Sequence, residues 1–358
     1  MTCSRRWLAD RGARERSILS ATGRMGAARP LPATHLGETR FQALSIGPAA
    51  QLALPADGTA LRVHSVFPST VNLEVEGSEW LVALSGPMGA VYPHAVALAR
   101  PEDFGNWGLA VGSRACLLGG SLCLQGQAHN MVVDLRQALR LPLRTVPSIA
   151  RLGGAHHACA MRLAEIQANA GCDLRMDGLW RPGRVTTALG AGLGRAALAL
   201  GAAAQAFGRS PGGDLAAGRR AGHDEGEAPP ALGRSVAALL GLGAGLTPSG
   251  DDFLCGFLAA ARTCGRSRGL PNALKDAVEK NIRRTSQISA SMVRCAIRNF
   301  WPMPLVDLAE ALAGECENEA VKALKELCGL GHCSGSDIAT GFLFGLETLV
   351  GPLVSSHL

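Results

Sequence analysis

The chain has 358 residues, of which 47% are hydrophobic, 18% charged and 4% aromatic, with a formal net charge of +6. That balance excludes a disordered chain, and at ~150 residues per domain the length suggests about two cores. Residues 1–29 hold seven arginines against Asp10 and Glu15, so the body is nearly neutral; with five Trp, nine Phe and one Tyr it lacks the basic stripe and stacking aromatics of a nucleic-acid binder.

In chain order, residues 1–45 show no clear period and read as a basic tail and lead-in loop, with Met25 as an alternative start. From Leu61 the texture is β. Leu61–Phe67 alternates apolar and polar, and short runs follow at Val71–Val75, Trp80–Leu84, His94–Ala99, Ala115–Leu118, Ser121–Gln125 and His129–Val133. Runs of this length broken by Gly, Pro and Asn predict a small antiparallel sheet or barrel over 46–140. Pro142 and Pro147 mark a boundary, and 148–352 reads as a helical domain, with a Gly/Asp/Glu/Pro-rich excursion at 209–230 predicted to be flexible. The expected fold class is therefore α+β: a small N-terminal antiparallel β domain followed by a mainly α-helical C-terminal domain. The closest approach to a membrane span, Ala188–Phe207, is weakly apolar and contains Arg195, so no membrane association is expected. Eleven scattered cysteines with no C-x-x-C pair, and no secretory hydrophobic region at the start, predict reduced thiols in a cytoplasm.

The most informative stretch is Gly241–Leu258, GLGAGLTPSGDDFLCGFL. Its glycines at 241, 243 and 245 admit positive φ, Thr247 or Ser249 can cap a helix, and Asp251 and Asp252 fall in the first turn, where the helix dipole favours negative charge. A glycine loop feeding a helix N-terminus is a recipe for an anion site. It is not a nucleotide P-loop, because Asp251-Asp252 stand where Lys-Ser/Thr is required, and the Gly-x-Gly-x-Gly spacing misses the dinucleotide fingerprint.

A second stretch, Gly331–Leu343, echoes the first. At an offset of 85, Ser249, Gly250, Asp252, Gly256, Phe257 and Leu258 recur as Ser334, Gly335, Asp337, Gly341, Phe342 and Leu343. Asp and Gly four apart share one helix face, so each helix offers a carboxylate at its tip and a smooth patch one turn below. The expectation is a pseudo-symmetric pair of helices whose N-termini converge on one site; ordinary caps and close helix packing are the alternative. Two carboxylates ~4 Å apart repel by about 4 kcal/mol at an effective dielectric near 20. Either a divalent cation bridges Asp252 and Asp337, or the Asp side chains cap backbone while free N–H groups and an arginine meet the anion. No other cofactor is expected. The segment Arg283-Arg284-Thr285-Ser286-x-x-Ser289 is positioned to supply guanidinium and hydroxyls. Candidate catalytic groups are thus Asp251, Asp252, Asp337 and His332. Candidate anion-binding groups are Gly243, Gly245, Thr247, Ser249, Gly250, Arg284, Thr285, Ser289, Ser334 and Gly335. His156-His157 reads as a solvated pair, and His64, Ser65 and Asn72 as strand polar groups with satisfied hydrogen bonds.

Gly241–Gly256, Arg284–Ser289 (RTSQIS), Gly331–Gly341 and, more weakly, Val63–Leu73 resemble the AllH subunit family of oxamate carbamoyltransferase. Cys333 and Ser336 depart from the family pattern, which has Ser then an aromatic there. The resemblance implies a subunit of a multi-subunit enzyme of anaerobic allantoin (purine) breakdown, converting oxalurate and phosphate to oxamate and carbamoyl phosphate. Its partners would be the other subunits and a small anionic substrate. The alternatives are a non-catalytic assembly subunit and a small-carboxylate binder without turnover.

Overall fold

The computed structural model describes residues 37–181, 187–209, 229–265 and 269–351. The basic tail to residue 36 and the excursion from 210 to 228 lie outside the described residues. The chain divides into two compact units, one holding residues up to 90 and 94–141, the other 91–93 and 142 onward.

The first unit corrects the sequence expectation of a small antiparallel β domain: it is a closed, mixed eight-stranded barrel. Its strands are β1 (Glu38–Ile46), β2 (Ala60–Phe67), β3 (Thr70–Val75), β4 (Leu81–Ser85), β5 (Ala95–Leu98), β6 (Arg114–Leu118), β7 (Ser121–Leu124) and β8 (Asn130–Asp134), in the order β5-β4-β3-β2-β6-β7-β8-β1 with a further β5–β1 pairing that completes the circuit. A two-residue β9 (Leu139–Arg140) runs parallel to the end of β1, and a short helix α1 (Pro48–Ala53) follows β1. Among the eight barrel strands two pairings, β1–β8 and β4–β5, are parallel.

The unforeseen strand is β1, read in sequence as tail and loop. Its first half pairs with β8 (Glu38↔Asn130 to Gln42↔Asp134) and its second half with β5 (Ala43↔Leu98, Ser45↔Ala97, Ile46↔Val96). A register shift between Ala43 and Ser45 breaks the two-residue period, so the core-facing residues are Ala43 and Ile46 rather than an alternating set. Such a bulge bends a strand and re-aims its side chains. The barrel is filled by Leu61, Val63, Val71, Leu73, Val82 and Leu84 with their counterparts on the other strands, and Phe41 stacks on Trp107 at 4.1 Å between ring centroids.

The second unit contains ten helices among the described residues: α2 (Gly154–Ala170), α3 (Met176–Trp180), α4 (Ala188–Arg209), α5 (Pro230–Leu239), α6 (Ser249–Thr263), α7 (Leu270–Asn281), α8 (Gln287–Ile297), α9 (Met303–Ala313), α10 (Glu317–Cys328) and α11 (Ser334–Val350). The helices α6 and α11 form its centre. Both are buried almost all round, as expected of a helix whose apolar residues occupy every face. Around them, α6 touches α5, α7 and α8, while α11 touches α2, α4 and α10.

The centre depends on glycines. A Cβ added at Gly256 would lie 1.9 Å from the Ile338 carbonyl oxygen, and one at Gly341 would lie 1.9 Å from the Phe253 carbonyl oxygen. Phe253 and Ile338 are themselves 85 residues apart, so the two close approaches are the same contact made twice, in opposite directions. Gly345 faces Ala260, another pair at that offset, with a Cβ–Cβ separation of only 2.6 Å were a methyl present. Phe253, Phe257 and Phe344 pack around this crossing with ring centroids 5.8 to 6.4 Å apart.

Candidate functional site

The first turns of α6 and α11 meet, and they exchange side chains. Ser249 hydrogen-bonds the Asp337 carboxyl, and Ser334 hydrogen-bonds the Asp252 carboxyl, joined there by Thr247. Thr247 and Ser334 hydroxyls are in turn 2.9 Å apart. Neither serine caps its own helix: Pro248 and Cys333 occupy the N-cap positions without side-chain bonds. The sequence expectation of Thr247 or Ser249 as a cap is thereby replaced by a cross-helix bond.

Both carboxyls are about 1% exposed, and each keeps one oxygen, Asp252 Oδ2 and Asp337 Oδ1, with no hydrogen-bond partner among the described residues. Burial disfavours the charged form and raises a carboxyl pKa. It pushes Asp337 up to about 7, with the Asp173 charge adding to the rise and the Ser249 bond opposing it. Burial also lifts Asp252 well above the usual carboxylate range, reinforced by the neighbouring Asp337 charge. Burial and mutual repulsion thus disfavour the charged forms, and the hydroxyls of Thr247, Ser249 and Ser334 oppose that by donating to the carboxylates. Among the described residues no cluster of three or more His, Cys, Asp and Glu side chains is arranged to hold a metal ion.

Asp251, the other acid in the first turn of α6, points a different way. Its Oδ1 accepts from the Gly241 N–H at 2.8 Å; its Oδ2 accepts from Ser289 Oγ at 2.6 Å and from Thr285 Oγ1. It is fully buried and fully engaged, tying the glycine loop to the start of α8. Thr285 and Ser289, expected to meet an anion, spend their hydroxyl protons on Asp251. Ser286 caps α8, accepting from the Ser289 N–H, and donates to the Leu246 carbonyl.

The glycines have distinct duties. Gly241 has φ +77°, and a Cβ there would sit 2.3 Å from the Arg284 carbonyl oxygen; Gly243 has φ +137°, with a Cβ 2.5 Å from the Ser249 nitrogen. Gly245 lies at the exposed loop tip with nothing nearby. The Gly250 and Gly335 N–H groups, expected to bind an anion, donate instead to the carbonyls of Leu242 and Leu330. Both glycines also let a preceding helix end approach: a Cβ at Gly250 would meet the Leu239 carbonyl oxygen at 2.2 Å, and one at Gly335 the Leu327 carbonyl oxygen at 1.8 Å. The Arg284 carbonyl packs against Gly241 of the loop, and the residue as a whole is exposed.

At the second tip His332 is exposed, with Nδ1 3.2 Å from the Cys333 sulfur, which also accepts the Cys172 thiol at 2.9 Å. The structure therefore brings Asp252, Asp337, Thr247, Ser249 and Ser334 into one cluster, uses Asp251, Thr285 and Ser289 beneath it, and leaves Arg284 and His332 on the rim.

Sequence reasoning missed Tyr92, which belongs to the helical unit, packs against its core and lies within electrostatic reach of Asp252. Burial, then the Asp252 charge, pushes its hydroxyl up to about 12. Being the chain's single tyrosine was the one available signal. His156 corrects the reading of a solvated pair: it is buried, its Nε2 3.2 Å from the Leu343 carbonyl, and desolvation lowers its pKa to about 4, whereas His157 is exposed. In the barrel, Asn72 Nδ2 donates to Ser65 Oγ, which lies 3.1 Å from His64 Nδ1.

Two family models match the chain. Residues 239–346 match oxamate carbamoyltransferase subunit AllH, and residues 42–140 match the AllH family N-terminal domain. No solved structure matches. No helix among the described residues is long and apolar enough to cross a membrane.

Proposed function

The chain belongs to the AllH family of oxamate carbamoyltransferase subunits, and from that premise we propose that its crossed helix tips form the anion-handling site of that enzyme. As a member of a subunit family, it belongs in a complex with other subunits. The proposed reaction is oxalurate plus phosphate giving oxamate and carbamoyl phosphate, in cytoplasmic, anaerobic allantoin breakdown. A phosphate oxygen attacks the ureido carbonyl carbon, the bond from that carbon to the oxamate nitrogen breaks, and the proton of hydrogen phosphate ends on that nitrogen.

The observation that carries this reading is the reciprocal Ser249–Asp337 and Ser334–Asp252 bonding, which leaves two unpartnered carboxyl oxygens in one buried cluster. A proton relay works best between groups that titrate near the working pH, and Asp337 at about 7 meets that condition. The half-buried hydroxyls of Thr247, Ser249 and Ser334 lie between these carboxyls and solvent, suited to contact the substrate's oxygens. Exposed Arg284, with the Gly243–Gly245 loop, would add charge and backbone donors. Positioning and preorganised donors would supply the acceleration.

The depth of the carboxyls favours one second reading, in which the helix pair only organises the subunit for assembly. Co-expression with the partner subunits, followed by assay of phosphate-dependent oxalurate cleavage, separates the two. If the pair relays protons, Asp252→Asn loses ~100-fold or more in kcat with the complex intact. Unchanged turnover in an intact complex removes the pair from the chemistry, and loss of the complex assigns it to assembly.

A further inference from the structure

The second tip carries a thiol arrangement that the carbamoyl-transfer reading does not use. The Cys172 and Cys333 sulfurs lie 2.9 Å apart, although 161 positions separate them in sequence. A disulfide bond is about 2.05 Å long, so closure needs less than ~1 Å of relative movement. Cys172 follows Gly171, the left-handed residue ending α2 at φ +68°, and sits in the connection to α3; Cys333 is the N-cap of α11. Cys172 is thus outside any helix, and Cys333 enters the α11 ladder only through its carbonyl, which accepts from the Asp337 N–H at 2.9 Å. The His332 ring nitrogen 3.2 Å from the Cys333 sulfur is placed to take its proton, and His332 is exposed, so small oxidants reach this side.

We propose that Cys172 and Cys333 are a reversible redox pair that closes to a disulfide under peroxide and reopens with a dithiol reductant. Cys333 is the attacking sulfur: it gives its proton to His332, attacks a peroxide oxygen, and becomes a sulfenic acid as the O–O bond breaks and the leaving hydroxide takes the His332 proton. The Cys172 sulfur then attacks the Cys333 sulfur, its own proton leaving with the sulfenic hydroxyl as water. Two thiols are oxidised and one peroxide is reduced to two waters. The division of roles follows the surroundings, since burial pushes the Cys172 thiol up and keeps it a proton donor until the second step. The consequence is local to the site: Ser334, next to Cys333, bonds both Asp252 and Thr247.

The barrel offers an internal control. Cys116 and Cys123 are directly opposed on β6 and β7, on a regular hydrogen-bonded ladder. The test uses the reduced full chain, treated with hydrogen peroxide, alkylated with N-ethylmaleimide and mapped by peptide mass. The expected result is a Cys172–Cys333 linked peptide that forms before Cys116 and Cys123 lose label and disappears with dithiothreitol. Cys333→Ser should leave Cys172 fully alkylated, and His332→Ala should slow linkage ~10-fold. The proposal is overturned if wild-type Cys333 runs on to sulfinic acid while Cys172 stays alkylatable, or if Cys172 links elsewhere. The wild-type mapping stands even if a variant fails to fold, and none of these readouts depends on carbamoyl transfer.

Discussion

The two helix tips share a sequence pattern and a crossing geometry but are anchored differently. In the first, a nine-residue connection from α5 carries three glycines of positive φ, and Asp251 bolts it to α8 through Gly241, Thr285 and Ser289. In the second, the connection from α10 is five residues long, and Ser336 in the first turn of α11 stands at the position of Asp251. Ser336 reaches the Cys328 thiol, and the tip is flanked by Cys172, Cys333 and His332. Of the shared residues, Ser249/Ser334, Asp252/Asp337 and Gly256/Gly341 meet across the crossing and Gly250/Gly335 admit each preceding helix end, whereas Asp251 and Ser336 turn to other partners. The likeness thus serves the contact between the helices, while each tip's own surroundings decide what holds it.

That comparison can be broken or sharpened in three ways, beginning with the strongest effect. A carboxyl whose folded pKa lies above its unfolded value stabilises the fold less as pH rises between the two values. Asp337, at about 7 folded against an ordinary 3.8, should therefore cost on the order of 4 kcal/mol by pH 8. Denaturant unfolding of wild type and Asp337→Asn should show a gap that widens in the variant's favour from pH 4 to pH 8. The difference matters because His156, held neutral at about 4, acts with the opposite sign in both proteins, lowering stability as pH falls below ~6.5.

The second test is of symmetry. Gly→Ala within a helix ordinarily gains ~1 kcal/mol from propensity, but a Cβ 1.9 Å from a carbonyl oxygen cannot fit without parting the helices. Gly256→Ala and Gly341→Ala should each lose about 3 kcal/mol by overpacking, and by similar amounts, as read from urea midpoints. Unequal losses would mean that one helix yields more easily than the other. The third test is of asymmetry. Asp251→Ala strands the Gly241 N–H and two hydroxyls and should cost about 2 kcal/mol, whereas Ser336→Ala removes one neutral bond and should cost about 1 kcal/mol. Equal melting shifts would erase the distinction between the anchors.

Much of this was legible in sequence where one residue's period decides its place. Strand β2 falls on the alternating run and β3 to β8 on the short runs after it, and the repeated S-G-x-D-x-x-x-G-F-L predicted a paired helix crossing. What failed was whatever depends on a distant partner. The shifted register in β1 hid a strand, and with it the closure of the barrel and the parallel β1–β8 pairing. Asp251 and Asp252 are adjacent letters, yet a helix turns about 100° between them, and one meets α8 while the other meets α11. His156 and His157 part for the same reason. A serine at a helix start looks like a cap until the neighbouring helix is present to accept its proton.

Strand β1 has a last implication. Its leading half is stitched to β8 and its trailing half to β5, so one nine-residue ribbon fastens both lips of the cylinder. Losing Glu38–Ile46 would unbutton the barrel and bare the edges of two strands at once.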